Sequence, residues 1–453
     1  MLKERLIREG WVRLLTSALF VILGGLFPSS GHATIEIRWW HAMDGQLGAK
    51  VESLAADFNR SQNGYRVIPV YKGDYTQTMT AGIAAFRTKQ PPHILQVFDV
   101  GTATMMVNEH AFRLLPEVME EVDGYFDSHQ FIPTVSSYYT NQAGQMVSMP
   151  FNSSTPVLYY NKTAFKKAGL DGNSPPKTWL QVADYAKKLL AAGYPCGFST
   201  SWISWIHLEN LTAWHNVPFA TGENGFDGLD VRLTLNDGLP VKHFTQLAAW
   251  EENRIFSYGG RKNLGNSKFF DESCPMYTAS SASYAEFKAK APFDFGMSEL
   301  PYWADMVGAP QNTMIGGASL WVMNGHSKVE YRGVAQFFKY LISPTVQADW
   351  HQSTGYLPIT RAAYEITKKS DFYKQHPDME VALKQLTRLE PTPNSRGVRL
   401  GHMVRLRDII LHELESILAG RKSAKQGLGS IVNEGDELLQ TFRKSYQAKL
   451  NKP

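Results

Sequence analysis

The residues able to do chemistry in this chain stand at the ends of short apolar runs that read as strands. His41 and Asp44 follow the run 35–40, Tyr75 follows 66–71, and Asp99 closes 94–98. Asn152, Ser153 and Ser154 precede a run starting at Val157, and Trp202 and Trp205 follow 196–199. Ser280 and Ser281 follow 276–278, while Gly316 and Gly317 open 318–322. Open α/β sheets bind ligands outside the carboxyl ends of their strands, so these positions are the first to consider. Hydroxyls, indoles, one carboxylate and backbone glycines form a binding wall: they exchange hydrogen bonds with a polar ligand and cover its carbon atoms. They do not form a nucleophile with its base. The sequence has no HExxH, GxSxG or GxxxxGK[ST], and no GxGxxG after a strand. Nor do the histidines after residue 33 show metal-ligand spacing, and His41 beside Trp40 reads as structural. Carboxylate pairs for glycoside hydrolysis are spatial, so spacing does not decide them. Arg396, Arg399, Arg405 and Arg407 lead into a helical run at 406–418. Three read as solvated charges, while one arginine at a helix start facing a cleft has the fork to hold an oxyanion; spacing does not say which.

The elements that must position these residues alternate in a βα rhythm. Asp44 is placed to cap a helix with Leu47, Val51, Leu54 and Phe58 on one face. A strand at 66–71, a helix at 74–87 stopped by Pro91-Pro92, a strand at 94–98 and a helix from Thr102 follow. A second such region opens near Pro150, with a strand at 157–160, a helix at 162–168 and a helix capped by Thr178. Further strands are expected near 274–278 and 293–297, and from about Ala363 the pattern is mostly helical. Strands alternating with helices predict βαβ units on a largely parallel sheet, here as two α/β lobes without a flexible linker.

Residues 1–33 carry Lys3, Arg5, Arg8 and Arg13, then a 14-residue apolar run at 14–27, then Gly31-His32-Ala33. That is the layout of a secretory signal peptide cleaved after Ala33, and the run is short of the roughly 20 residues a membrane span needs. The expected location is outside the cytoplasm, without a membrane anchor. Removing these residues leaves 42 basic and 40 acidic side chains. Nucleic-acid and membrane-surface binding, which need a concentrated basic excess, are not expected. Cys196 and Cys274 are the two thiols; a disulfide between them and two separately buried thiols both remain open.

Three stretches resemble the periplasmic solute-binding proteins of the maltose-binding type: 151–169, Pro175-Pro-Lys-Thr-Trp179 and 354–360. Asn152-Ser-Ser-Thr-Pro156 in the first of these, together with Gly101-Thr-Ala-Thr-Met-Met106 and Ile315-Gly-Gly-Ala-Ser-Leu-Trp-Val-Met323 elsewhere in the chain, is similar to the sn-glycerol-3-phosphate receptors of ABC importers. The resemblance implies a two-lobed periplasmic binding protein fold with hinge crossings and a helical C-terminal region. It implies an N-lobe of 34–150 plus about 302–345 and a C-lobe of 151–301 plus about 346–453. It also implies capture of sn-glycerol-3-phosphate, or a glycerophosphodiester such as glycerophosphocholine, for delivery to a membrane permease with its cytoplasmic ATPase. A monomer without cofactor, metal or catalytic turnover is expected. Carried over one position at a time, Tyr75, Ser154, Ser280, Gly317, Tyr356 and Arg407 fall at the phosphate end, and Trp202, Trp205 and Asp99 at the glycerol end. The family has Glu where this chain has Asp99, which leaves the ligand preference at that end open. A sugar receptor on the same fold and a secreted enzyme acting on glycerophosphodiesters are the alternatives.

Overall fold

Alternation along Ile35–His41 turns Ile37, Trp39 and His41 inward, and β-branched and aromatic residues favour the extended chain. In the computed structural model, which describes residues 34–123 and 126–450, this is strand β1. The predicted signal peptide lies outside the described residues. Nine further strands follow: β2 (Tyr65–Tyr71), β3 (Ile94–Phe98), β4 (Phe112–Arg113), β5 (Met149–Ser154), β6 (Pro156–Asn161), β7 (Phe198–Thr200), β8 (Met276–Ser280), β9 (Phe295–Ser298) and β10 (Gly316–Met323). They form two sheets. The first runs β2-β1-β3-β10-β4 with β5 also on β10, and the second runs β7-β8-β6-β9. Pairs β1–β2, β1–β3 and β7–β8 are parallel, while β10 runs antiparallel to β3, β4 and β5. The expectation of largely parallel sheets therefore holds for the opening βα units and fails where β10 returns from far along the chain and in the second sheet, where β6 runs antiparallel to both β8 and β9.

Helices cover the first sheet through amphipathic faces. Gly45–Ser61 buries Val51, Leu54, Ala55 and Phe58, as the spacing predicts, although the Asp44 side chain makes no cap hydrogen bond. Tyr75–Arg87 begins with a capping box: Asp74 accepts from the Gln77 N–H and the Gln77 side chain accepts from the Asp74 N–H. Lys328–Leu341 packs Val334, Phe337 and Phe338 against the same sheet, with Phe337 against Trp39. The second sheet is covered by Trp179–Ala191, and Gly238–Glu252, Met403–Leu418 and Ala424–Leu450 pack on one another. No helix among the described residues is long and apolar enough to cross a membrane.

The sheets meet where β5 passes into β6. Thr155, the single residue between them, donates its hydroxyl to Thr313 at 2.6 Å, on the segment leading to β10. Gln385, fully buried, donates to the Pro156 carbonyl and accepts the Leu300 N–H at 3.0 Å. Cys196 and Cys274 are joined in a disulfide that ties the approaches to β7 and β8.

Candidate functional site

Strand β5 places Ser154 beside Gly316 of β10, and β6 places Pro156 beside Ser280 of β8. One chain crossing thus brings both sheets to the same point, where the Ser280 hydroxyl donates to the Ser154 Oγ at 2.8 Å. Gly317 pairs with Ser153 at a left-handed φ of 106°, and a Cβ there would lie 1.9 Å from the Asn152 carbonyl oxygen. Only glycine fits. Its neighbour Gly316 leaves room for the indole of Trp205, which a Cβ would meet at 2.5 Å.

Tyr75 opens its capped helix with its ring stacked on Phe98 at 5.4 Å, and its hydroxyl accepts from Asn152 Nδ2 at 2.8 Å. Asn152 is fixed in turn by Gln96, which donates to its Oδ1 at 2.8 Å. Tyr356 approaches the same two groups, stacked on Trp350, which stacks on Phe151 in the core. Burial pushes both tyrosine hydroxyls above their usual titration range, so they remain donors. The charged residues acting on them are acidic, Asp99 on Tyr75 and Asp44 on Tyr356. The buried Ser281 Oγ and Trp205 Nε1 have no hydrogen-bond partner among the described residues.

Trp202 and Trp205 follow β7. Trp202 adopts a left-handed φ of 42°, uncommon for a bulky side chain, held by its N–H to the Lys262 carbonyl at 3.0 Å and its indole N–H to Asn263 at 2.7 Å. Trp205 begins a π-helical turn, Trp205–Glu209, of the kind that recurs at functional sites. Behind it runs a buried chain of neutral rings. Trp303 Nε1 donates to His243 Nδ1 at 3.1 Å, so the proton of His243 lies on Nε2, 2.9 Å from His207 Nδ1. His207 Nε2 then donates to the Thr278 hydroxyl at 3.1 Å. Burial holds His207 down to about 3 and His243 well below its ordinary value.

Arg407 faces this turn. Its Nε and Nη2 donate to the two oxygens of Glu209 at 2.8 and 2.7 Å, and Nη2 also lies 3.2 Å from Asp99 Oδ2. All three side chains are buried. Burial raises Asp99 to about 6 against the pull of Arg407, with Glu209 adding to the rise, while the two carboxylates hold Arg407 above its ordinary value despite burial. Tyr138 steadies the strand end by donating to the Asp99 carbonyl at 3.0 Å.

The profile of the bacterial extracellular solute-binding proteins matches residues 53–381. The sn-glycerol-3-phosphate-binding periplasmic protein UgpB of Salmonella typhimurium is 48% identical over 435 residues, 96% of this chain and 99% of that one. The chain is a bacterial extracellular solute-binding protein. Among solved structures it is similar to UgpB from Mycobacterium tuberculosis in complex with glycerophosphocholine, with a TM-score of 0.75 at 22% identity, covering 90% of this chain and 98% of that one. It is also similar to the maltose-bound MalE3 of T. maritima, with a TM-score of 0.71 at 17% identity, covering 89% and 100%. The fold is the two-lobed, maltose-binding-like one.

For this solute-binding protein the sequence placed Arg407 at one end of the ligand and Asp99 at the other; the structure brings them into one ion pair. Arg407 also does not open its helix, which starts at Met403. Arg399 is not a solvated charge: it is 7% exposed, donates from Nη1 to the Thr140 carbonyl at 2.7 Å and lies over the Phe226 ring. Arg396 covers the same ring, and only Arg405 is exposed as expected. Glu209 was missed; a lone carboxylate among Ile206, Leu208 and Leu211 was the available signal, since such a group needs a partner when buried.

A metal is a poor fit elsewhere. His93, His326 and Glu330 bring their ligand atoms within 4.8 Å of one another. However, His93 Nδ1 accepts the Arg38 N–H at 3.0 Å, which leaves its proton on Nε2, 3.2 Å from Glu330. A metal there would have to displace that proton.

Proposed function

We propose that this protein is the periplasmic receptor of an ABC importer, capturing sn-glycerol-3-phosphate or a glycerophosphodiester between its lobes and handing it to a membrane permease served by a cytoplasmic ATPase. Tyr75, Ser154, Ser280, Tyr356 and the Gly317 N–H donate to the phosphoryl oxygens. Trp202 and Trp205 cover the carbon skeleton, and Asp99 accepts from the vicinal hydroxyls while Arg407 donates beside it. The lobes comprise 34–150 with about 302–345 and 151–301 with about 346–453; the chain is secreted by cleavage after Ala33 and works as a monomer without turnover.

The observation that carries this reading is the meeting of Ser154 and Ser280 from the two sheets, with Tyr75 bonded to Asn152 on the same strand as Ser154, in a chain 48% identical to sn-glycerol-3-phosphate-binding proteins. A thermal-shift panel of sn-glycerol-3-phosphate, glycerophosphocholine, inorganic phosphate, maltose and glycerol tests it. A true ligand at 100 times its Kd stabilises by about 2.7 kcal/mol. Stabilisation by maltose alone would contradict the reading, and choline released from glycerophosphocholine would contradict the absence of turnover.

A further inference from the structure

Glu209 is 1% exposed and commits both carboxylate oxygens to Arg407. An arginine meant to meet phosphate with its fork has no need of that partner, and burying the carboxylate costs desolvation that only a close pair offsets. The charges facing one another at this end are Asp99 from the end of β3, Arg407 from its helix and Glu209 from the π turn. With both carboxylates ionised the group is net negative. The Nη1 of Arg407 makes no hydrogen bond to the described residues beside the Nε and Nη2 bonds to Glu209 and Asp99.

We propose that Glu209 is a positioning residue that sets which ligand charge the cleft accepts. It holds the guanidinium plane by two bonds and cancels its charge, so the site takes a phosphodiester monoanion in preference to a phosphate-monoester dianion. The proposal rests on the glycerophosphoryl reading of the cleft. Coulomb energy scales with the product of charges, so a dianion meets twice the repulsion from a buried carboxylate that a monoanion meets, and solvent ions screen it weakly there.

Calorimetric titration of the parent, E209Q and E209Q/R407Q with glycerophosphocholine and with sn-glycerol-3-phosphate at pH 8 tests this. In E209Q the ratio of the two affinities shifts toward sn-glycerol-3-phosphate by at least tenfold. The double variant, which removes one charge of each sign, keeps the parental ratio while binding both ligands more weakly. A purely structural role would weaken both ligands in parallel in E209Q, and that result, or an unchanged pair of affinities, overturns the proposal. If E209Q does not fold, the double variant decides: a ratio within threefold of the parent supports charge as the selector, and a shift beyond tenfold overturns it. A parent that binds neither ligand overturns the glycerophosphoryl reading and this proposal with it, whereas a parent that binds both with no shift in E209Q overturns only this one.

Discussion

Lys262 Nζ lies 2.6 Å from Asp74 Oδ2, joining the N-cap of the helix that carries Tyr75 to the residue whose carbonyl receives the Trp202 N–H. The pair thus spans from a residue beside the first sheet to one beside the second, at the rim of the proposed cleft. Both partners are about half exposed, so the pair itself contributes about 0–1 kcal/mol. Asp74 has a second duty as the cap, worth about 1 kcal/mol. Lys262→Ala is therefore expected to speed ligand release up to about fivefold with little change in Tm. Asp74→Ala is expected to lower Tm further. Stopped-flow release and thermal melts of both variants check this, and equal melts would contradict the cap's separate role.

Arg399→Ala should destabilise the fold without touching the ligand. It strips the Thr140 carbonyl of a donor and uncovers the Phe226 ring. The expected loss is about 2–3 kcal/mol in urea unfolding, combining an unsatisfied buried acceptor and a lost cation–π contact. Arg405→Ala, on the exposed face, should stay within about 0.5 kcal/mol of the parent.

Acid should weaken the protein before it protonates most carboxylates. His207 and His215 titrate in the fold near 3 and 4, below their ordinary 6.5, both chiefly through burial. The unfolded chain takes up those protons first as pH falls. Their contribution is therefore full above pH 6.5 and is lost on the way down toward 3–4, about 2 kcal/mol per ring at pH 5. Asp99, raised to about 6 from 3.8, acts in the opposite sense: its contribution is present below 3.8 and lost as pH rises through 6. The rings outnumber it. Urea midpoints at pH 7.5, 6 and 5 should fall in that order, and a midpoint that holds or rises would contradict the neutral-ring assignment.

Replacing Cys196 and Cys274 together by serine should lower stability by up to about 4–5 kcal/mol, the chain-entropy value for a loop of this length, while leaving ligand affinity within a few-fold. The bridge lies on the approaches to β7 and β8, away from Ser280 at the far end of β8. Chemical unfolding and calorimetric titration of the double variant measure the two effects separately.

Periodicity made the opening βα units legible, because Val51, Leu54 and Phe58 recur at helical spacing and Ile37 and Trp39 alternate. The return of β10 between β3, β4 and β5 was not legible, since strand pairing across hundreds of residues leaves no local pattern. Arg407 and Asp99 lie 308 residues apart, and nothing near either announces the other. Arg399 was misread because charge type predicts exposure only until an aromatic ring and a free carbonyl offer shelter. Glu209 escaped because it sits in a π turn, where the 3.6-residue periodicity used to sort faces no longer applies.

Calorimetric titration of the purified mature protein with glycerophosphocholine, sn-glycerol-3-phosphate and maltose tests the assigned function most directly. The expected result is saturable one-to-one binding of at least one of the two phosphoryl ligands, strongly weakened in Arg407→Ala, with no heat from maltose. Binding of maltose with none of either phosphoryl ligand would contradict it.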